Sequence, residues 1–293
     1  MSQYTISNNH LTLTAISFGA HLMSLKTSNG TEIIFQGDDK WKGKSPNLFP
    51  IVGVFPEKKY IFEGREYPIE CHGVAPRNEY SVSKHTETEL EFMLTDNEET
   101  RKNYPFSFAF FVNYKLDGDT LIYTLRAQNT GDKVMYCEMG THTGFSVARS
   151  FKGAKIVFDT HEDKYTVKND DPKKCGVRFI NEQGELSLSD ELFSTGAVTF
   201  GSLNSKSVTL VNEGSDYSIT VGLGNYPNLT FWSAPESTYV CIEPWSCESA
   251  HYCKNIELTK QVGISVLKPG ESIEFYNTIS AKNKNVSAIA STR

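Results

Sequence analysis

Ser107-Phe108-Ala109-Phe110-Phe111-Val112-Asn113-Tyr114 is followed by Asp117-Gly118-Asp119 and then by Thr120-Leu121-Ile122-Tyr123-Thr124-Leu125. Aromatic and β-branched residues fit a pleated, half-buried surface, and glycine between two such runs supplies the positive φ of a tight turn. The stretch reads as two antiparallel strands joined by a hairpin. The same signal recurs in both directions. Upstream, residues 11–16, 21–25, 32–35 and 90–94 come close to alternating, and 60–62 with 65–67 form a second hairpin around Glu63-Gly64. Downstream, residues 134–137, 154–158, 197–200, 207–211, 217–223, 229–232, 239–242 and 273–279 repeat the pattern. Between the first strands and the second hairpin, Ser45-Pro46-Asn47-Leu48-Phe49-Pro50-Ile51-Val52-Gly53 is too broken by proline for a regular strand and reads as a covering loop.

Many short strands at regular spacing predict an all-β chain, a large antiparallel β-sandwich or barrel with very little helix. Only Ser189-Asp190-Glu191-Leu192-Phe193 resembles a helical turn, with Ser189 as its N-cap. No composition shift or linker divides the 293 residues, so one domain is expected, with a core over about 4–279 and a frayed tail from Ser280. The hydrophobic content of 39% is enough for a buried core of that size and argues against disorder.

A net charge of −6 with scattered lysines and arginines lacks the basic footprint that nucleic acid would require. The start, Met1-Ser2-Gln3-Tyr4, is polar, and no run approaches the length of a membrane span. A soluble, cytoplasmic protein is expected, without a membrane or nucleic-acid partner. Cys71, Cys137, Cys175, Cys241, Cys247 and Cys253 include no C-x-x-C and read as reduced thiols. Cys247, His251 and Cys253 make an incomplete metal set without a fourth ligand at a recognised spacing, so no metal or other cofactor is expected.

Chemistry concentrates in a few places. Thr238-Tyr239-Val240-Cys241-Ile242-Glu243-Pro244-Trp245 puts one carboxylate at the end of an apolar run, and Pro244, which cannot donate to a ladder, predicts that the strand finishes at Glu243. Burial there would raise the carboxyl pKa toward values suited to proton exchange near neutrality; exposure, or hydrogen bonds to backbone, is the plainer reading. Of seven histidines, His72 and His142 stand out. His72 lies in Cys71-His72-Gly73-Val74-Ala75-Pro76-Arg77, where Gly73 permits close approach to a ligand, and His142 in Gly140-Thr141-His142-Thr143-Gly144-Phe145 among hydroxyls rather than core aliphatics. Nucleophile-elbow, phosphate-loop, zinc-helix and dinucleotide motifs are missing. Phe145, Trp232 and Trp245 are aromatic faces of the kind that sugars stack on, and each suits a core equally well.

The order of these motifs resembles the aldose 1-epimerase (galactose mutarotase) superfamily, in particular its LacX-like branch. The resemblance runs over nearly the whole chain: Asn47-Leu48-Phe49-Pro50-Ile51-Val52-Gly53, His72-Gly73, Tyr104-Pro105-Phe106, Asn129-Thr130-Gly131, Gly140 to Phe145, Trp232-Ser233, Cys241 to Trp245 and Leu267-Lys268-Pro269-Gly270-Glu271. It implies the galactose mutarotase-like supersandwich and an isomerase of carbohydrate metabolism that needs no cofactor. It also implies roles: Glu243 as base at the anomeric hydroxyl, His142 as acid at the ring oxygen, and His72 as a donor steadying charge there. Arg77, Phe145, Trp232 and Trp245 would contact the sugar, an aldohexose or a hexose phosphate, in a monomer or homodimer. The family usually has an arginine where this chain has Val54 and another where Pro76 stands, and the LacX-like pattern an aspartate where Gly196 stands. Those residues anchor sugar hydroxyls. Arg77 is therefore the candidate replacement cation, and a non-catalytic sugar-binding sandwich or a hexose-6-phosphate 1-epimerase, with Lys58, Lys59, Arg65 and Arg77 on the phosphate, are the alternatives.

Overall fold

Strict alternation of apolar and polar side chains turns into strict alternation of burial in the computed structural model, which describes residues 1–147, 150–162, 168–169, 179–213, 215–247 and 256–284. In the opening hairpin, Phe108–Asp117 pairs antiparallel with Thr120–Asn129, and Phe108, Phe110, Val112 and Tyr114 are buried beside Leu121, Tyr123, Leu125 and Ala127. Each such side chain contributes about 1.5–3 kcal/mol on leaving water. This hairpin is the middle of a nine-stranded antiparallel sheet, ordered Glu185–Ser187, Ala154–Phe158, Ser207–Asn212, Tyr217–Gly222, Ser272–Asn283, Thr120–Asn129, Phe108–Asp117, Glu89–Thr95 and Ser81–His85.

A seven-stranded sheet faces it, with Lys168–Asn169, Val198–Gly201, Asn228–Trp232, Tyr239–Trp245, Gly140–Thr141 and Asn47–Leu48 in that order and Thr143–Ser146 also paired to Tyr239–Trp245. Gln3–Ser7, Leu11–Ile16 and Leu22–Thr27 make a third, three-stranded sheet. One buried apolar cluster runs from Ile6 to Ile279 and draws on all three. The expected all-β sandwich is the fold observed. The 45–53 segment is, as expected, mostly a loop, with a two-residue strand at Asn47–Leu48. The hairpin about Glu63-Gly64 and the short helix Asp190–Phe193, whose Leu192 amide donates to Ser189 Oγ at 3.1 Å, are also present.

Several boundaries differ. The last strand does not fray at Ser280: Ser280 to Asn283 stay paired with Thr220 to Tyr217, although the pairing with Thr120–Asn129 on the other side ends at Ser280. Gln3–Ser7 and Ser81–His85 are strands that the sequence pattern left out, both at sheet edges where only one neighbour is needed. A helix, Glu98–Asn103, was likewise missed; the Asn97 side chain accepts from the Glu99 and Thr100 amides and Thr100 Oγ1 accepts from the Asn97 amide. No described helix is long and apolar enough to cross a membrane.

Candidate active site

Glu243 does not end its strand. Tyr239–Trp245 is continuous and buried throughout, with Asn228–Trp232 on one side. Pro244 is tolerated for a local reason. The Ser246 amide donates to the Met139 carbonyl, so the Pro244 nitrogen, two residues back, faces the same neighbour, where pairing is interrupted between Gly140–Thr141 and Thr143–Ser146. His142 sits in that interruption. Its amide donates to the Pro46 carbonyl on the other side at 3.2 Å, and the unbroken register sets it opposite Glu243.

Alternation then sorts the strand. Val240 and Ile242 enter the main core, whereas Tyr239, Cys241, Glu243 and Trp245 share the opposite face. Trp232, registered with Cys241, belongs to that second face. Phe145, registered with Val240, points into the main core instead and is fully buried there, so the structure does not bring this predicted sugar contact to the site. Gly144, one residue earlier, faces the site: a Cβ there would meet the Trp41 ring at 2.7 Å. The missing side chain lets Trp41 lie flat over the sheet, stacked on His142 at 5.3 Å and on Tyr239 at 5.0 Å between ring centres. Trp232 meets the His142 ring edge-on at 5.8 Å.

His142 Nε2 lies 3.4 Å from Glu243 Oε1, and the His72 ring stands edge-on to His142 at 5.2 Å. Trp245 is 6.4 Å from His72. Three residues far apart in sequence, Glu243, His142 and His72, are therefore brought together. Glu243 is 1% exposed, and among the described residues neither of its oxygens, nor His142 Nδ1, has a hydrogen-bond partner. Burial pushes the Glu243 carboxyl well above the ordinary range, with the Trp245 indole acting in the opposite direction. Burial likewise lowers His142 to about 4, and lowers His72 well below its ordinary value, with His142 and Arg77 adding to the effect. Burial thus favours the uncharged form of all three groups.

His72 has a fixed tautomer. Gly53 N–H donates to His72 Nδ1 at 3.1 Å, so the ring proton resides on Nε2. The His72 backbone adopts φ 65°, and Gly73, at φ 74°, passes so near the chain that a Cβ would sit 2.4 Å from the Phe49 carbonyl oxygen. The close approach that Gly73 permits is to the loop carrying Phe49. Arg77 is spent on the same loop: its Nη1 donates to the carbonyls of Cys71 and Gly73 at 2.9 and 3.1 Å. It buttresses His72 from behind and makes no contact with Glu243 or His142 that would mark it as the replacement sugar anchor.

Two of the other three cations proposed for a phosphate, Lys58 and Lys59, are also engaged. Lys58 pairs with Glu70 at 3.0 Å, and Lys59 with Glu57 and Glu66 at 3.0 and 3.1 Å. Gly196, at φ 95°, closes the turn after Asp190–Phe193 with its amide on the Phe193 carbonyl, a conformation that disfavours the aspartate of the family pattern. His142, Cys241 and Glu243 offer ligand atoms within 4.8 Å of one another, the one grouping among the described residues with the composition of a cation site. Cys241 is a buried thiol that burial and the neighbouring Glu243 hold protonated, so it is poorly prepared to bind metal. His251 and Cys253, the partners considered for Cys247, lie outside the described residues.

Trp41 was missed. Its signal was available: a lone tryptophan within Lys40-Trp41-Lys42-Gly43-Lys44, in no periodic element, has no core reason to be there. The family described as aldose 1-epimerase matches residues 2–280. Protein LacX (plasmid) of Lactococcus lactis subsp. lactis is 28% identical over 265 residues, 82% of this chain and 86% of that protein. A galactose mutarotase related enzyme from Lactobacillus acidophilus superposes with a TM-score of 0.86 at 27% identity, over 96% of this chain and 98% of its own. A galactose mutarotase-like protein from Lactobacillus casei gives 0.87 at 23% identity, over 96% and 100%, and speaks for the fold.

Proposed function

Because the chain belongs to the aldose 1-epimerase family, we propose that it interconverts the α and β anomers of a free aldohexose by opening and reclosing the ring. The observation that carries this reading is the 3.4 Å contact between His142 Nε2 and Glu243 Oε1, on a face lined by Trp41, Trp232 and Trp245, with both carboxylate oxygens unclaimed among the described residues.

The resting charge state suits the chemistry. Burial favours the uncharged forms of both Glu243 and His142. Sugar hydroxyls that donate to the unclaimed oxygens favour the carboxylate and draw its pKa down, and the proton passes to His142. The pair is then a base and an acid. Glu243 takes the proton of the anomeric hydroxyl, the bond from C1 to the ring oxygen breaks toward oxygen, and His142 protonates that oxygen, leaving an open-chain aldehyde. Rotation about C1–C2 and the reverse transfers give the other anomer. His72 donates Nε2–H to the oxygen where charge develops. Positioned acids and bases contribute about 10²–10⁴-fold each, and orientation of the open chain supplies more. A neutral hexose is favoured over a phosphate, since Lys58 and Lys59 are paired with carboxylates and Arg77 holds backbone.

Magnetisation exchange between the α and β anomeric protons of equilibrated glucose, galactose and their 6-phosphates tests this directly. Faster exchange on a plain hexose is expected on adding protein. No enhancement on any of the four sugars, with line broadening still reporting binding, would leave a sugar-binding sandwich without turnover.

A further inference from the structure

Glu138 is a second buried acid, and the proton transfers above do not use it. It follows the strand Met135–Cys137, is 1% exposed, and lies beside an apolar group formed by Leu48, Val52, Trp245 and Cys247. A carboxylate in such a place is costly unless its bonds matter. Its Oε2 accepts the Val52 amide at 2.9 Å, and its own amide donates to the Pro50 carbonyl at 2.8 Å. Glu138 thus grips the 50–52 segment at both ends.

The next amide along is the one that sets the His72 tautomer. Gly53 N–H donates to His72 Nδ1, and the Gly53 carbonyl accepts the His72 amide at 2.8 Å. With peptide planes rigid, fixing the Val52 N–H leaves only the φ and ψ of Val52 between Glu138 and the Gly53 N–H. Gly53 itself, at φ 69°, has no side chain to hold it, and both of its backbone bonds go to His72. We infer that Glu138 is a positioning residue for His72: its carboxyl holds the Val52–Gly53 turn so that Gly53 N–H occupies His72 Nδ1 and leaves Nε2–H free to donate to the sugar.

The function of that donor rests on the mutarotase reading; the tautomer does not. Burial raises the Glu138 carboxyl to about 7, opposed by the Val52 amide and the Cys247 thiol. The other titratable groups that face it are Cys137 and Tyr104, both pushed upward by burial, so Glu138 is the group in that pocket that titrates near neutrality.

Long-range ¹H–¹⁵N spectra of the His72 ring, recorded on wild type, Glu138→Gln and Glu138→Leu, test the inference. Wild type and the Gln variant, which keeps an acceptor for Val52, should show a pyrrole-type Nε2 and an unprotonated Nδ1. The Leu variant should show mixed tautomers and a kcat lower by about 10–100-fold, the range seen when partners that orient metal-ligating histidines are removed, with KM changed less. A pure Nε2–H tautomer in Glu138→Leu would overturn the inference. If that variant does not fold, the wild type decides: the Val52 amide and His72 Nδ1 shifts should move together with the Glu138 carboxyl as pH crosses about 7, and independent movement would overturn it. Lack of anomer exchange by the wild type would count against the proposed function alone, because the tautomer is read without turnover.

Discussion

The two large sheets are made by one rule and used for two purposes. In the nine-stranded sheet the alternation holds along Glu89–Thr95, Thr120–Asn129 and Ser207–Asn212, the inward face is aliphatic and aromatic, and Phe92, Tyr114, Tyr123 and Leu125 are fully buried. In the seven-stranded sheet the strands are shorter, a proline lies inside one and pairing lapses beside it, and Glu243, His142, Thr141 and Thr230 are buried. The register that pairs Gly140 with Trp245 and Thr143 with Ile242 runs through that gap and sets His142 opposite Glu243. A regular sheet stores stability, whereas a sheet with one defect can present unsatisfied polar groups at a fixed spacing.

The largest expected effect separates these purposes. Glu243→Gln keeps the shape of the side chain and removes its proton exchange, so turnover should fall toward the upper end of the about 10²–10⁴-fold typical of a positioned acid or base. The melting temperature should hold, since burial already favours the neutral carboxyl and it has no hydrogen bonds to lose among the described residues. Anomer exchange rates and a thermal melt, measured side by side, give the answer; full turnover in the variant removes Glu243 from the mechanism. Phe92→Ala is the mirror experiment in the other sheet. Phe92 is fully buried and packs edge-on against Tyr4 and Tyr114, so its loss should cost about 3–5 kcal/mol in denaturant unfolding and leave kcat of the folded fraction unchanged.

A third test uses Glu138, which borrows from both sheets' logic: it is buried like the core and ionisable like the site. Its folded pKa is raised, from 4.5 to about 7. The contribution of the protonated form is therefore fully present below about 4.5 and is lost as pH rises through about 7. Glu138→Gln does not titrate, so it should gain on wild type by about 3 kcal/mol between those limits. Unfolding curves for the two proteins at pH 5 and pH 8 measure this. A constant gap would mean that Glu138 does not change its charge on that interval.

What could be read from the sequence divides along the same line. The nine-stranded sheet was legible because strand alternation and turn residues are local: 108–114, 120–125 and 273–279 announce themselves. Glu243, His142 and His72 were legible only through motif order, since their 3.4 Å and 5.2 Å approaches depend on a register that no local pattern encodes. Phe145 was misplaced by one residue of alternation, its ring going to the core while Gly144 faces the site. Arg77 looked like an anchor because charge beside a histidine suggests a ligand, yet its hydrogen bonds go to the carbonyls of Cys71 and Gly73. The helix Glu98–Asn103 was hidden by its shortness, although Asn97 followed by Thr100 carries a capping box in plain sight.

The smallest effect probes the outward face of the nine-stranded sheet. Arg126 is registered across from Phe111, and its guanidinium carbon lies 3.6 Å from the centre of that ring. A cation over an aromatic face in a partly exposed position is worth about 0.5–1 kcal/mol, and the aliphatic stem of arginine covers apolar surface as well. Arg126→Ala should therefore lower stability by about that much. Arg126→Lys should recover part of it, because ammonium keeps the charge and loses the planar stacking. Neither should change turnover, for this face points away from the aromatic lining around Glu243. A chemical denaturation series on the two variants and wild type reads the differences. An effect on kcat from Arg126→Ala would mean that the two sheets are mechanically coupled, and that the division of labour between them fails at its least stressed point.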